Sequence, residues 1–202
     1  MTRLTERCRD LVASAMKDGI YEAAIEVLGQ HGIEGLTMDR VAEVAGVAKG
    51  SLYNYFRNKE ELVRFIFEKT MEPAKRAERE ILAMPIPAVK KLESCLRVWF
   101  ALLARNRGLF DFLLNDPATR RLHDPRERGN REEAIGMLRT IFRQGIEEGA
   151  FRPFDVSRAA EMFFGAVMVS VEQQLALGEE RPVDESVGSL IDVFLHGVAA
   201  KA

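Results

Sequence analysis

At 202 residues, with 47% hydrophobic and 30% charged side chains, the chain is long enough to bury a core and too apolar to be a disordered tail. No apolar run reaches the roughly 18 residues a membrane span needs, and the first residues lack a secretory apolar segment, so the expected location is the cytoplasm. The net charge of −2 excludes a uniformly basic nucleic-acid coat but not a local one.

Locally the picture differs. From Gly46 to Lys59 the chain carries Lys49, Arg57 and Lys59 and no acid, while Asp39, Glu43, Glu60 and Glu61 flank that window. Cys8 and Cys95 are far apart with no CxxC neighbour, and His31, His123 and His196 are scattered. Reduced thiols and no cofactor or metal are therefore expected.

Periodicity is helical nearly throughout, which predicts an all-α chain of about nine helices. Ile20, Ala23, Ala24, Val27 and Leu28 make a helical stripe that Gly32 stops. Thr37 caps a short helix over 38–45, Gly46 makes a tight turn, and a second short helix covers about 48–56. Asn58 with Glu61 opens a long helix to about Ala83, ended by Pro85 and Pro87.

Beyond the prolines, Leu92, Cys95, Leu96, Trp99, Leu102 and Leu103 share one helical face, with Val98 and Phe100 off it. The aromatic segment 109–114 follows, and then a polar, charged stretch, 120–133, reads as a connection. Another helix carries Ala134, Leu138, Ile141, Phe142 and Ile146 and closes at Gly149. Pro153 and the capping Asp155 open the penultimate helix, and the last one carries Val187 to Val198. Both final helices have wide apolar stripes and contain glycines (Gly165, Gly188, Gly197).

Two short helices joined by a glycine turn and braced by a preceding helix form the helix-turn-helix plan, whose second helix enters the major groove. At 100° per residue, Ala48, Leu52, Tyr55 and Phe56 fall on an apolar arc that should pack inward. Lys49, Gly50, Tyr53 and Asn54 fall on the other arc, a set of groups suited to a groove.

The stretch 36–62, above all Gly50-Ser-Leu-Tyr-Asn-Tyr-Phe-Arg-Asn-Lys59, resembles the signature of the TetR/AcrR family of transcriptional repressors. The resemblance is strong over about 20–67 and rests beyond that on helix count and chain length. It implies a helix-turn-helix domain over 1–60 and an effector-binding and dimerisation domain over 61–202. It further implies DNA contacts by Thr37, Lys49, Gly50, Ser51, Tyr53, Asn54, Tyr55 and Lys59. Tyr55 is claimed by both arguments: the family favours DNA, the helical arc favours packing. Asn54 stands where many relatives carry a larger aromatic or histidine, so the base preference is unread.

The implied partners are a palindromic double-stranded operator, a second copy of the chain and a small hydrophobic effector. For the effector the aromatic and methionine side chains Trp99, Phe110, Phe112, Met137, Phe142, Phe163 and Met168 are the candidates; any single one reads better as core, but together they are enough to line an apolar cavity. For the dimer the candidates are Phe164, Val167, Val171, Leu190, Ile191 and Phe194. An alternative is a regulator of the same plan controlled by a partner protein or lacking ligand response. No nucleophile elbow, phosphate loop or metal spacing points to an enzyme, and none is expected.

Overall fold

The computed structural model describes residues 3–110, 125–177 and 181–196, and among these it is helical with no strand. In chain order the helices are α1 (Arg3–Gly35), α2 (Met38–Val44), α3 (Lys49–Tyr55), α4 (Lys59–Ala83), α5 (Ala88–Arg105), α6 (Pro125–Glu147), α7 (Val156–Ala176) and α8 (Val183–His196). The chain divides into two compact units, Met1–Glu72 and Pro73–Ala202. The border between the units falls inside α4, twelve residues beyond the expected 60/61 division. The reason is packing: Leu62, Val63 and Ile66, from the first turns of α4, are fully buried with the first unit's other apolar residues.

In the first unit Ile20, Ala24 and Val27 of α1, Leu36, Val41 of α2 and Leu52 of α3 complete that core. α1 runs back to Arg3, well before the periodic stripe begins. Gly32 kinks it, with φ at +64°, and a last turn follows to Gly35. Its direction against α4 is fixed by three contacts. Lys59 Nζ donates to the Ile33 carbonyl at 3.1 Å, Tyr21 Oη lies 3.3 Å from Thr70 Oγ1, and Lys69 pairs with Asp18. Low numbers on one helix meet high numbers on the other, so the two are antiparallel.

In the second unit, α5 packs on α6 and α8, and α7 packs on α6 and α8. The centre is aromatic. Phe142 is wholly buried, edge-on to Phe151, Phe154 and Phe163 and stacked on Phe194 at 4.9 Å. Gly145, one turn along α6, is what lets this cluster close, because a Cβ there would fall into the Phe151 ring. Phe100, off the predicted face of α5, is also core at 3% exposure, so that helix is buried on two sides.

One expectation is corrected here. Part of the stretch read as a connection is helix, since α6 starts at Pro125. Proline is compatible with the first helical position, where its missing N–H has no partner to lose. Asp155 caps α7 as expected, accepting from the Arg158 N–H at 3.1 Å.

The start of α5 is satisfied from a distance. Its N-cap is Pro87, which offers no side-chain hydrogen bond, and the Ala88 N–H instead donates to Glu148 Oε2 at 2.9 Å. That bond, and then the Gln144 amide at 2.6 Å from the other oxygen, holds the Glu148 carboxyl below its ordinary value of 4.5. Its contribution to stability is full above the unfolded-chain value and fades as pH falls through the folded one. The acid limb of a Tm-against-pH curve, below about pH 4.5, should therefore be shallower for Glu148→Gln than for the wild type.

Candidate nucleic-acid interface and apolar groove

The helix-turn-helix is built from local signals. Thr37 is extended (φ −121°, ψ 152°) and its hydroxyl oxygen accepts the Arg40 N–H at 3.2 Å, which starts α2. Gly46, at φ +66°, supplies the left-handed residue that turns the chain from α2 into α3. Asn58 Oδ1 accepts the Glu61 N–H at 2.8 Å, and the Glu61 carboxylate accepts the Arg57 N–H at 2.8 Å, so α4 opens with a reciprocal cap.

On α3, Leu52 and Phe56 are buried and Lys49, Gly50, Tyr53 and Asn54 are exposed, with Tyr53 42% accessible. The outer arc of four is thus contiguous on one solvent face. Ser51 and Tyr55 are half-buried, which leaves Tyr55 able to pack and to touch a ligand of the outer face. Ala48, placed by periodicity on the inner arc, is exposed because it is the N-cap residue and sits outside the helix. Thr37 is exposed and Lys59 half-buried.

Three cations at or beside this face have partners that sequence spacing did not reveal. The Lys49 ammonium spans both oxygens of Asp39, at 2.6 and 2.9 Å, and that hydrogen bond raises its affinity for the proton. Lys59 reaches the Ile33 carbonyl, and Arg40 Nη1 reaches the Gly35 carbonyl at 2.6 Å. Together Lys59 and Arg40 tie down the end of α1 from which Thr37 follows.

Of the predicted effector residues, Phe110, Met137, Phe142 and Phe163 meet in the second unit's core cluster. Phe142 and Phe163 belong to the aromatic core, and Trp99, Phe110, Met137 and Met168 are half-buried. Phe112 lies outside the described residues. Trp99 Nε1 donates to Glu78 Oε1, a contact not anticipated from the sequence. Burial pushes the Glu78 carboxyl up, with the indole bond acting the other way. Burial also pushes the Cys95 thiol up to about 12, so it is not a nucleophile at neutral pH.

A groove of about 540 Å³ opens instead along α7 and α8. Its walls are Met162, Phe163, Ala166, Leu177, Val193 and Phe194, with Gln174 and Ser186 hydrogen-bonded to each other at 2.9 Å on its floor. Met162, Val169, Leu177 and Val193 are 70%, 53%, 64% and 54% exposed. A Cβ added at Gly165 or Gly188 would meet nothing within 4 Å.

The predicted dimer residues border the second unit's own core, and Leu190 and Phe194 also line this groove. Val171 and Ile191 are buried in the second unit's core, and Phe164, Val167, Leu190 and Phe194 are half-buried against it. The outward apolar stripe of α7 is the neighbouring one, through Met162, Ala166, Val169 and Leu177. A helix apolar on two adjacent sides does not announce which side its own protomer covers.

Residues 20–66 match the family model of bacterial regulatory proteins of the tetR family. The chain is 25% identical over 185 residues to the fatty acid metabolism regulator protein of Bacillus subtilis (strain 168), covering 90% of this chain and 95% of that one. It is similar in structure to a putative fatty acid metabolism regulator of Clostridium perfringens, with TM-score 0.68 and 27% identity over 91% of this chain and all of that one. A third likeness is to the transcriptional regulator FadR from Bacillus subtilis, solved in complex with stearoyl-CoA. It has TM-score 0.70 and 25% identity, covering 90% and 98% of the two chains.

Proposed function

We propose that this chain, a member of the TetR/AcrR family of helix-turn-helix transcriptional repressors, works as a homodimer that binds a palindromic operator and releases it on binding a hydrophobic effector. The observation that carries the reading is the outer arc of α3. Lys49, Gly50, Tyr53 and Asn54 face solvent together while Leu52 and Phe56 anchor the helix from behind. Such an arrangement presents one cation, one phenol and one amide to a groove on a rigid support. The chain is a regulator and not an enzyme.

The second copy docks along α7 and α8, where the exposed apolar stripe and the open glycines await a partner surface. Two-fold symmetry then sets two α3 helices about one DNA turn apart, roughly 34–36 Å. The effector is a long-chain acyl thioester, the class of ligand named for the Bacillus subtilis structure. It acts by preferring the state that does not fit DNA, and a coupling of about 1–3 kcal/mol is enough for a switch.

The test begins with selection of duplexes from a random pool, followed by titration at fixed salt. Tyr53→Phe should weaken binding to all duplexes alike, roughly tenfold, because a hydroxyl bonded to phosphate carries no base information. Asn54→Ala should reorder the preference among operator variants instead. Stearoyl-CoA added to the complex should release the DNA. A reading head that enriches no duplex sinks the proposal. DNA binding that no acyl thioester or fatty acid perturbs favours control by a partner protein.

A further inference from the structure

Asp39 lies in the first turn of α2 and Lys49 is the first residue of α3, ten positions apart and on opposite sides of the Gly46 turn. Both side chains are more than half exposed, yet the ammonium is centred between the two carboxylate oxygens. The cation best placed on the outer arc is therefore neutralised in the free protein. The two remaining cations of the 46–59 window do not replace it there. Arg57 and Lys59 lie beyond the end of α3, and Lys59 is bonded to the Ile33 carbonyl.

A carboxylate beside a DNA-facing ammonium has two effects. It repels phosphate, which every duplex presents at every position. It also offers the ammonium a competing acceptor, so a base edge must supply something better before the lysine turns away from it. We propose that Asp39 is a specificity-determining residue of this nucleic-acid face, holding the Lys49 ammonium back from generic backbone phosphate and yielding it only to a duplex whose base edges accept it well. The proposal rests on the DNA-binding reading above. An exposed ion pair contributes little to folding, so its position at the interface, and not stability, is its consequence.

The experiment compares the wild type with Asp39→Asn, which keeps the shape and removes the charge. The probes are a duplex selected by the wild type from a random pool and a scrambled duplex of the same length, titrated over a series of salt concentrations. Asp39→Asn should bind the scrambled duplex roughly three- to tenfold more tightly, and the slope of log K against log salt should steepen by about one. Affinity for the selected duplex should change less, so the discrimination ratio falls. Adding Lys49→Gln to Asp39→Asn should remove the gain on scrambled DNA. Unchanged affinity and slope on scrambled DNA would overturn the proposal, as would a gain that survives Lys49→Gln. Equal weakening on both probes with a lowered Tm would also overturn it, because the pair would then only brace α2 against α3. A wild type that binds no duplex overturns this and the regulator reading together, whereas wild-type binding with an inert Asp39→Asn overturns this alone.

Discussion

Phe142→Ala should cost the second unit about 3–5 kcal/mol, the largest loss expected from any single truncation in that unit. The ring is wholly buried and touches four other phenylalanines, three edge-on at 5.8–6.0 Å and one stacked at 4.9 Å. Truncation removes the transfer energy of the ring and leaves a hole that its neighbours cannot collapse into. Phe151, Phe154, Phe163 and Phe194 already contact one another in several pairs, which limits their movement. Chemical denaturation followed by circular dichroism measures the loss. Phe142→Leu, which fills part of the space, should recover about half of it. A near-neutral Phe142→Ala would mean that the ring borders a ligand cavity rather than filling the core, the other role its sequence position allows.

Val193→Asp should leave the protomer folded and abolish the dimer proposed above. The side chain is 54% exposed at the mouth of the α7–α8 groove, so the substitution removes little from the protomer's own core. In a symmetric interface it places two unpaired carboxylates in an apolar contact, each costing several kcal/mol to desolvate. The dimer dissociation constant should rise more than a hundredfold, and operator affinity should fall by a similar factor, since a monomer engages one half-site. Sedimentation at micromolar concentration and anisotropy with a labelled operator read the two effects. A variant that stays dimeric while folded would place the interface on another face.

The reading head is almost fully legible in the sequence because its determinants are local. Thr37, Gly46 and the Asn58–Glu61 pair each act within four residues of themselves, and the burial of Leu52 and Phe56 follows from a 3.6-residue period. What the sequence hides is anything set by how one helix crosses another. The Asp39–Lys49 pair depends on the angle between α2 and α3, and the Lys59–Ile33 contact on the pairing of α1 with α4. In the second unit the same limit applies to whole faces. α7 offers apolar residues on two sides, and only packing decides that Val171 turns inward and Met162 outward. The Trp99–Glu78 bond leaves no signal because Glu78 is one of six glutamates in a charged helix, and such residues are ordinarily solvated. The start of α1 is hidden for the opposite reason, since residues 7–12 are exposed and leave no periodic trace.

Pro73 lies well inside α4 and is the first residue of the second unit. With no N–H it leaves the Lys69 carbonyl without its helical rung, and its ring crowds that same carbonyl. A helix resists bending through its ladder of such rungs, so stiffness along α4 is lowest at the seam between the units. Seen as a mechanical element, α4 is two stiff rods, fourteen and eleven residues long by its bounds Lys59–Ala83, joined at a compliant point. Bending of α4 therefore concentrates at Pro73 before it spreads along either rod.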